Sequence, residues 1–140
     1  MKAVVVTATG VQIQDVPAPT PKPNEVLIRV RACGLNRADL MVASGMAHGR
    51  AGGAGTIVGL EFVGEVADLG ADAKAESGLQ IGDRVMCGGA QGWAEYAVAD
   101  WGRAAKIPDG NVSWNEAATL PTALNTMHNA VVTAGRMQAG

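Results

Sequence analysis

Residues 25–41, EVLIRVRACGLNRADLM, decide how this chain is organised, because they join a strand pattern to a polar loop. Apolar residues alternate with other residues over positions 25–32, and this period of two predicts a β-strand. The polar loop, residues 33–39, follows at once with Gly34, Asn36 and Asp39. Functional side chains are often carried on loops that a rigid strand positions, so we expect a site here.

The rest of the chain before residue 113 repeats strand and turn patterns. Residues 2–7 and 11–16 flank the turn-forming pair Thr9-Gly10 and predict a β-hairpin. Four prolines in residues 17–25 remove backbone donors and predict an extended connection. Period two returns over residues 56–70, where the glycines predict a bent or bulged strand, and further strands are expected within residues 81–89 and 92–100.

Three short helices complete the prediction. A helix is expected over residues 36–44, with Gly45 ending it. The sequence SWNE, residues 113–116, is a capping box that predicts a second helix start. After Pro121, apolar residues at helical spacing predict a last helix that Gly135 ends: Leu124, Met127, Val131 and Ala134. A chain of 140 residues with these elements predicts one compact, mainly β unit.

Composition excludes several classes of partner. The chain is 48% hydrophobic and 17% charged, with a formal charge of −2, so we expect no binding to nucleic acid. No apolar run approaches the roughly 20 residues that span a bilayer, and the N-terminus lacks the pattern of a signal peptide. We therefore expect no membrane contact and a cytoplasmic location.

The cysteines and histidines do not suggest a metal site. Cys33 and Cys87 are far apart without CxxC spacing, which favours reduced thiols over a disulfide or a zinc lobe. With His48 and His128 as the only histidines, a Cys/His zinc site would need all four residues to converge. The glycine-rich residues 52–59 are similar to a dinucleotide loop, but a strand pattern follows instead of a helix, which favours a turn.

Other candidates have two interpretations each. Asp39 and Glu61 could be a catalytic carboxylate pair, but turn capping or an ion pair with Arg37 or Arg84 is the more common role of such residues. Asp83 is expected to bond turn amides within GDRV, residues 82–85. An apolar ligand pocket or ordinary packing would each explain the following residues: Met41, Met46 and Trp93.

Five motifs occur in order along the chain: ACGLNRADLM, GLEFVGEV, GDRV, GWAEYAV and EAATLPTALNT. This set resembles the medium-chain dehydrogenase/reductase superfamily, in particular its zinc-free quinone oxidoreductase branch. The resemblance implies a GroES-like catalytic domain, a partly open β-barrel, over residues 1–120. It also implies that residues 121–140 form the connecting helix and the start of a Rossmann domain whose remainder, the main cofactor-binding surface, is missing from these 140 residues.

The resemblance also implies that no zinc is bound. Zinc-dependent relatives carry cysteine, histidine and cysteine at the positions occupied here by Asn36, Leu60 and Thr122. Leucine and threonine offer zinc no competitive ligand, and asparagine is a poor one. The four-cysteine structural lobe of those relatives is missing as well.

Roles for individual residues follow from the same resemblance. Asn36 is the expected catalytic hydrogen-bond donor and, with Arg37 and Thr126, a contact of the NADPH cofactor. The substrate pocket is expected to include Met41, Met46, Leu60 and Trp93. Structural roles are expected for Asp39, Glu61 and Asp83. Where the family often has a tyrosine after the short helix, this chain has SGMAHG, residues 44–49, so no phenol acts there.

The expected function is that of an NADPH-dependent, zinc-independent reductase of quinones or α,β-unsaturated carbonyls, acting by hydride transfer. An enoyl thioester reductase is the alternative within enzymes, and a non-enzymatic GroES-like binding or scaffold domain is the alternative outside them. We expect residues 1–140 alone to be inactive and the complete protein to be a homodimer.

Overall fold

A computed structural model of the chain describes residues 1–48 and 52–138. The strands in these ranges are β1 (Lys2–Thr7), β2 (Gly10–Asp15), β3 (Glu25–Cys33), β4 (Glu61–Leu69), β5 (Arg84–Gly88), β6 (Tyr96–Asp100) and β7 (Ala104–Lys106). The α-helices are α1 (Arg37–Ala43), α2 (Ala71–Glu76), α3 (Trp114–Ala118) and α4 (Pro121–His128). The described helices include none that is long and apolar enough to cross a membrane.

Five strands form one antiparallel sheet in the order β6-β3-β4-β5-β7. The predicted hairpin is present as the pair β1–β2, and β1 also touches the rest of the fold through bridges at Ala3 and Val5. The mainly β, partly open GroES-like architecture is therefore confirmed. The strand predicted from residues 25–32 lies inside the sheet, between β4 and β6, so the polar loop leaves from a central strand.

The glycine-interrupted strand is bulged as expected, but it begins later than predicted. Pairing of β3 with β4 passes over Ala67 on one strand and Arg31 on the other. The strand starts at Glu61 instead of residue 56 because Gly59 has a φ of +113° and residues before it bond to β1. A Cβ on Gly59 would lie 2.6 Å from the backbone nitrogen of Trp93, so the turn brings two segments into close contact.

Apolar residues of the sheet form the main core. Phe62, Ile28 and Val26 are its largest fully buried side chains, and α2, which no sequence pattern had indicated, contributes the buried Ala73. A second cluster places Ala117 of α3 against Val63 of β4. The side chains that β4 presents to these clusters fix the strand, and with it the position of Glu61 at its first residue.

The C-terminal helices begin as predicted. Ser113 Oγ accepts from the amide of Glu116 at 3.2 Å, and Glu116 Oε2 accepts from the amide of Ser113 at 2.9 Å, which confirms the capping box. The last helix was expected to end at Gly135, and the helical stretch does end there. Only its first part is α-helical, because α4 ends at His128 and a π-helical stretch, Asn129–Ala134, continues to Gly135. Most of the predicted apolar stripe is exposed, with Leu124 at 49%, Met127 at 57% and Val131 at 39%.

Candidate functional site

The polar loop is shaped by a reciprocal pair of hydrogen bonds. Asn36 is the N-cap of α1, and its backbone N–H donates to Asp39 Oδ2 at 2.7 Å. The amide of Asp39 donates in return to the backbone oxygen of Asn36 at 3.0 Å. Asp39 is 1% exposed, so this carboxylate is an internal support of the loop. The contact to a turn amide is the kind expected for Asp39.

Glu61 connects the polar loop to α4. Glu61 is the first residue of β4 and is only 4% exposed. Oε1 accepts from Asn36 Nδ2 at 2.8 Å, and Oε2 accepts from the amide of Thr122 at 2.8 Å. Gly34 allows this arrangement, because a Cβ at that position would collide with the Glu61 carboxylate. One carboxylate thus ties three distant segments together.

This arrangement differs from the expected ion pair. Among the described residues, the ion pairs do not include Glu61 or Asp39. Arg84 instead donates to the backbone oxygen of Val112 at 2.7 Å and lies 4.3 Å over the ring of Trp114. Arg37 is exposed on α1. Neutral N–H groups therefore satisfy Glu61, and the pattern of charged residues could not reveal those partners.

The positions that resemble zinc-ligand positions do come together. Asn36 and Thr122 both donate to Glu61, and Leu60 precedes it in the chain. The donor set at these positions is an amide, an alkyl group and a hydroxyl residue, which does not fit a zinc site. No group of three or more His, Cys, Asp and Glu side chains in the described ranges could hold a metal ion. The expectation that zinc is not bound stays a prediction, based on ligand chemistry.

Burial and nearby carboxyl groups make the thiol of Cys33, the first residue of the polar loop, a poor nucleophile. Burial, then the charges of Asp39 and Glu61, raise the pKa of Cys33. Burial alone raises the pKa of Cys87 to about 12. A thiolate is the reactive form, so neither cysteine is suited to nucleophilic catalysis at neutral pH.

A cavity of about 500 Å³ lies beside the polar loop. Asp39, Val42 and Leu60 are in its wall, together with residues 54–57 and Gln91. Of the four residues expected to line a substrate pocket, Leu60 lines this cavity. No sequence pattern pointed to Val42 or Ile57, because the turn at Gly59 brings residues 54–57 to this place.

The other expected pocket residues lie elsewhere. Met41 and Met46 are 38% and 53% exposed and are not in the wall of this cavity. Trp93 packs on a small cluster of Val6, Val42 and Val58, and its indole nitrogen donates to the backbone oxygen of Gly34 at 3.5 Å. Trp93 therefore packs against the polar loop, and it also lines a second cavity, of about 450 Å³, together with Cys33 and Leu35.

The two expected cofactor contacts besides Asn36 are both exposed. Arg37 lies at the start of α1, and Thr126 lies on α4. An exposed guanidinium fits a phosphate group, and an exposed hydroxyl fits an amide, so both side chains are chemically compatible with a nicotinamide dinucleotide. Asp83 lies apart from this site, where its Oδ2 accepts from the amide of Gln80 at 2.8 Å and pairs with Lys106 Nζ at 2.8 Å.

The chain is similar in sequence to one protein family and to several curated proteins. Residues 22–109 match the family described as the alcohol dehydrogenase GroES-like domain. The chain is 36% identical over 118 residues to highly reducing polyketide synthase 40 of Fusarium pseudograminearum, covering 84% of this chain. It is also 36% identical over 129 residues to a trans-enoyl reductase of Pyricularia oryzae, again covering 84% of this chain.

A solved structure is similar over nearly the whole chain. The quinone oxidoreductase of Thermus thermophilus, determined with its NADPH complex, is 30% identical, with a TM-score of 0.75 over 96% of this chain. The chain spans 4% of the polyketide synthase, 34% of the trans-enoyl reductase and 41% of the quinone oxidoreductase chain.

Proposed function

Because the chain belongs to the alcohol dehydrogenase GroES-like domain family of the medium-chain dehydrogenases and reductases, we propose that it is the catalytic domain of an NADPH-dependent, zinc-independent reductase. Its substrates are quinones or α,β-unsaturated carbonyl compounds. Two of the relatives named above are a trans-enoyl reductase and a quinone oxidoreductase, which supports reductase activity in general. The observation that carries the zinc-independent assignment is that Asn36 and Thr122 both bond to Glu61. By the resemblance, positions 36 and 122 hold zinc ligands in zinc-dependent relatives.

The nicotinamide, when bound, supplies the hydride. The residues of this chain orient the cofactor and the substrate and stabilise the charge that develops on the substrate oxygen. Asn36 uses one N–H for Glu61, which fixes the plane and direction of its amide. Among the described residues the second N–H on Nδ2 has no recorded partner, so it can donate to a hydroxyl of the cofactor or to the substrate oxygen. Asn36 is thus a catalytic residue in this proposal, and Glu61 is the positioning residue that orients it.

Thr122 links the same group to α4. Its amide is in the first turn of this helix, and Glu61 accepts from it while it also accepts from Asn36. The carboxylate therefore sets the distance between the polar loop and the helix that carries Thr126. A cofactor contacting Arg37 on one side and Thr126 on the other would depend on this spacing.

Enoyl thioesters are the second candidate substrates, and a specific observation favours them. The curated relatives at 36% identity are a highly reducing polyketide synthase and a trans-enoyl reductase. Both classes of substrate react in the same way, because each accepts a hydride at a carbon of a C=C bond that is conjugated to a carbonyl group. They differ in the group that the cavity beside Asp39 must accommodate.

The test uses the protein encoded by the complete reading frame. NADPH oxidation is measured with a simple benzoquinone, a medium-chain enone and an enoyl N-acetylcysteamine thioester, and kcat/KM values are compared. A highest kcat/KM for the quinone or enone supports the leading assignment, and a highest kcat/KM for the thioester supports the alternative. Absence of NADPH oxidation with all three would contradict the proposal and favour a binding or scaffold domain.

A further inference from the structure

Gln91 has a backbone conformation that glutamine rarely adopts. Its φ is +66°, in the left-handed region that favours glycine. Among the described residues, Arg136 is the one other non-glycine residue with a positive φ. The neighbouring positions include Gly89 and Gly92, yet the position that would suit glycine best carries a long polar side chain. Residues held in such a conformation occur preferentially at functional sites, so this side chain calls for an explanation.

Backbone hydrogen bonds on both sides of Gln91 hold it in place. The N–H of Gly89 donates to the backbone oxygen of Leu60 at 2.8 Å. The N–H of Gly92 donates to the backbone oxygen of Gly59 at 3.2 Å. Gln91 is therefore attached to the turn that precedes β4, and its side chain starts from a fixed backbone position.

Gln91 lies exposed in the wall of the cavity of about 500 Å³ beside the polar loop. Two other polar side chains of this wall are less available to a ligand. Thr56 Oγ1 already donates to the backbone oxygen of Gly52 at 2.7 Å, and Asp39 is 1% exposed. The Gln91 amide forms no side-chain hydrogen bond among the described residues, so it is the polar side chain of this wall that is open to a ligand.

We propose that Gln91 is a substrate-binding residue whose Nε2 donates a hydrogen bond to a carbonyl oxygen of a compound bound in this cavity. The identification of that compound with a quinone or enone rests on the proposed function. A carbonyl oxygen only accepts hydrogen bonds, which suits the NH₂ group of glutamine. Leu60 is in the same wall and directly precedes Glu61, which bonds to Asn36, so a ligand here lies next to the proposed catalytic residue.

One nearly isosteric substitution separates the two kinds of hydrogen bond. Gln91→Glu keeps the length of the side chain and replaces its NH₂ donor with a second acceptor oxygen. A ligand carbonyl then faces only acceptors and loses its bond, whereas a ligand hydroxyl can still donate. Gln14→Glu, the same substitution on the exposed side of β2, is the matched control.

The experiment is an amide chemical-shift titration of residues 1–140 with cyclohexanone and cyclohexanol, two unreactive probes of matched size. We expect both probes to shift the amides of Gly55, Leu60 and Gln91, which line the cavity. In Gln91→Glu the ketone should bind roughly tenfold more weakly, the effect of about one hydrogen bond, while binding of the alcohol changes little. Gln14→Glu should leave both affinities unchanged.

A second variant distinguishes a binding role from a structural one. Gln91→Gly removes the amide and places at this position the residue that adopts a positive φ without strain. It should weaken binding of the ketone without lowering Tm. In the complete protein, Gln91→Glu should raise the KM for a simple benzoquinone and leave kcat nearly unchanged, as expected for a group that contributes to substrate binding alone.

Four outcomes would overturn the inference. They are no binding of either probe, undiminished ketone binding in Gln91→Glu, an equal loss of ketone and alcohol binding in that variant, and a lower Tm with undiminished ketone binding in Gln91→Gly. The titration needs neither NADPH nor turnover. An inactive complete protein whose Gln91→Glu variant still loses ketone binding would refute the proposed function alone, and an active protein with unchanged ketone binding in that variant would refute the role of Gln91 alone.

Discussion

Glu61→Gln is the sharpest test of the site, because it changes one oxygen of the carboxylate that ties the site together and almost nothing else. Glutamine keeps the shape of glutamate and one acceptor oxygen. It replaces the other oxygen with a donor, which would face either Asn36 Nδ2 or the amide of Thr122, each now at 2.8 Å. One of these two partly buried donors must therefore lose its partner.

The size of the effect follows from burial. Glu61 is 4% exposed, so water cannot readily replace the lost bond. A hydrogen bond to a charged group contributes about 1.5–3 kcal/mol, and we expect a loss of about 2 kcal/mol in the free energy of unfolding. For a chain of 140 residues this corresponds to a fall in Tm of roughly 7 °C.

Glu65→Gln is the matched control. It is the same substitution on the same strand, but Glu65 pairs with Arg31 at 2.8 Å while both side chains are about one-third exposed, at 36% and 35%. Such a pair contributes about 0–1 kcal/mol. Thermal and urea unfolding of residues 1–140 would measure both variants, and amide exchange at Thr122 would report the local bond. Equal Tm values for the two variants, with unchanged exchange at Thr122, would refute the reasoning.

Four further outcomes are expected. Chelator-free protein should contain only substoichiometric zinc by elemental analysis, and about one tightly held equivalent would contradict the ligand argument. Residues 1–140 alone should show no NADPH-dependent quinone turnover above a heat-treated control, and any such turnover would contradict our expectation of inactivity. In the complete protein, Asn36→Ala should lower kcat/KM by about 100-fold, which is the effect of losing one well-placed donor. Asp83→Ala should instead lower the free energy of unfolding by about 1 kcal/mol and leave turnover per folded molecule nearly intact. Equal rates for Asn36→Ala and the parent would show that Asn36 only shapes the loop. Lys106 and then the amide of Gln80 hold the pKa of Asp83 below its ordinary value. The contribution of Asp83 to the free energy of unfolding is therefore complete above the unfolded pKa near 4 and is lost as pH falls through the lower folded pKa. Asp83→Asn should make the urea midpoint fall less steeply as pH is lowered below the unfolded pKa, and an unchanged pH profile would contradict this.

Local patterns in the sequence predicted most of the strands and the starts of α1, α3 and α4, but they indicated neither α2 nor β7. Period two predicted β3, and the capping box at Ser113 predicted α3, because both features depend on residues close together in the chain. The start of β4 was wrong by five residues. Residues 56–60 alternate like a strand, but their backbone groups bond to β1 and turn at Gly59, which only tertiary contacts determine.

The site was less predictable than the fold. The polar loop that carries Asn36 was predicted from its place after a strand, whereas the roles expected of Asn36 itself came from the family resemblance. The partners of Glu61 were not predictable in this way, because an amide of α4 and a side chain of the polar loop meet only after β4 is in the sheet. Asp39 Oδ1, which is buried without a hydrogen-bond partner among residues 1–48 and 52–138, was also beyond prediction, since its surroundings are set by the packing of distant segments.

The electrostatics of the site bear on which reductions it can support. Asp39 and Glu61 are both buried beside the polar loop, and neither takes part in an ion pair among the described residues. Negative charge developing on a substrate oxygen near them would be destabilised, and the side chains at positions 36, 60 and 122 supply no Lewis acid to offset this. Reduction of an isolated carbonyl places the full charge on one oxygen, whereas conjugate addition of hydride to a quinone or enone delocalises it over several atoms. The second reaction needs less stabilisation from the protein, so the proposed function predicts a preference for conjugated substrates over simple ketones and aldehydes.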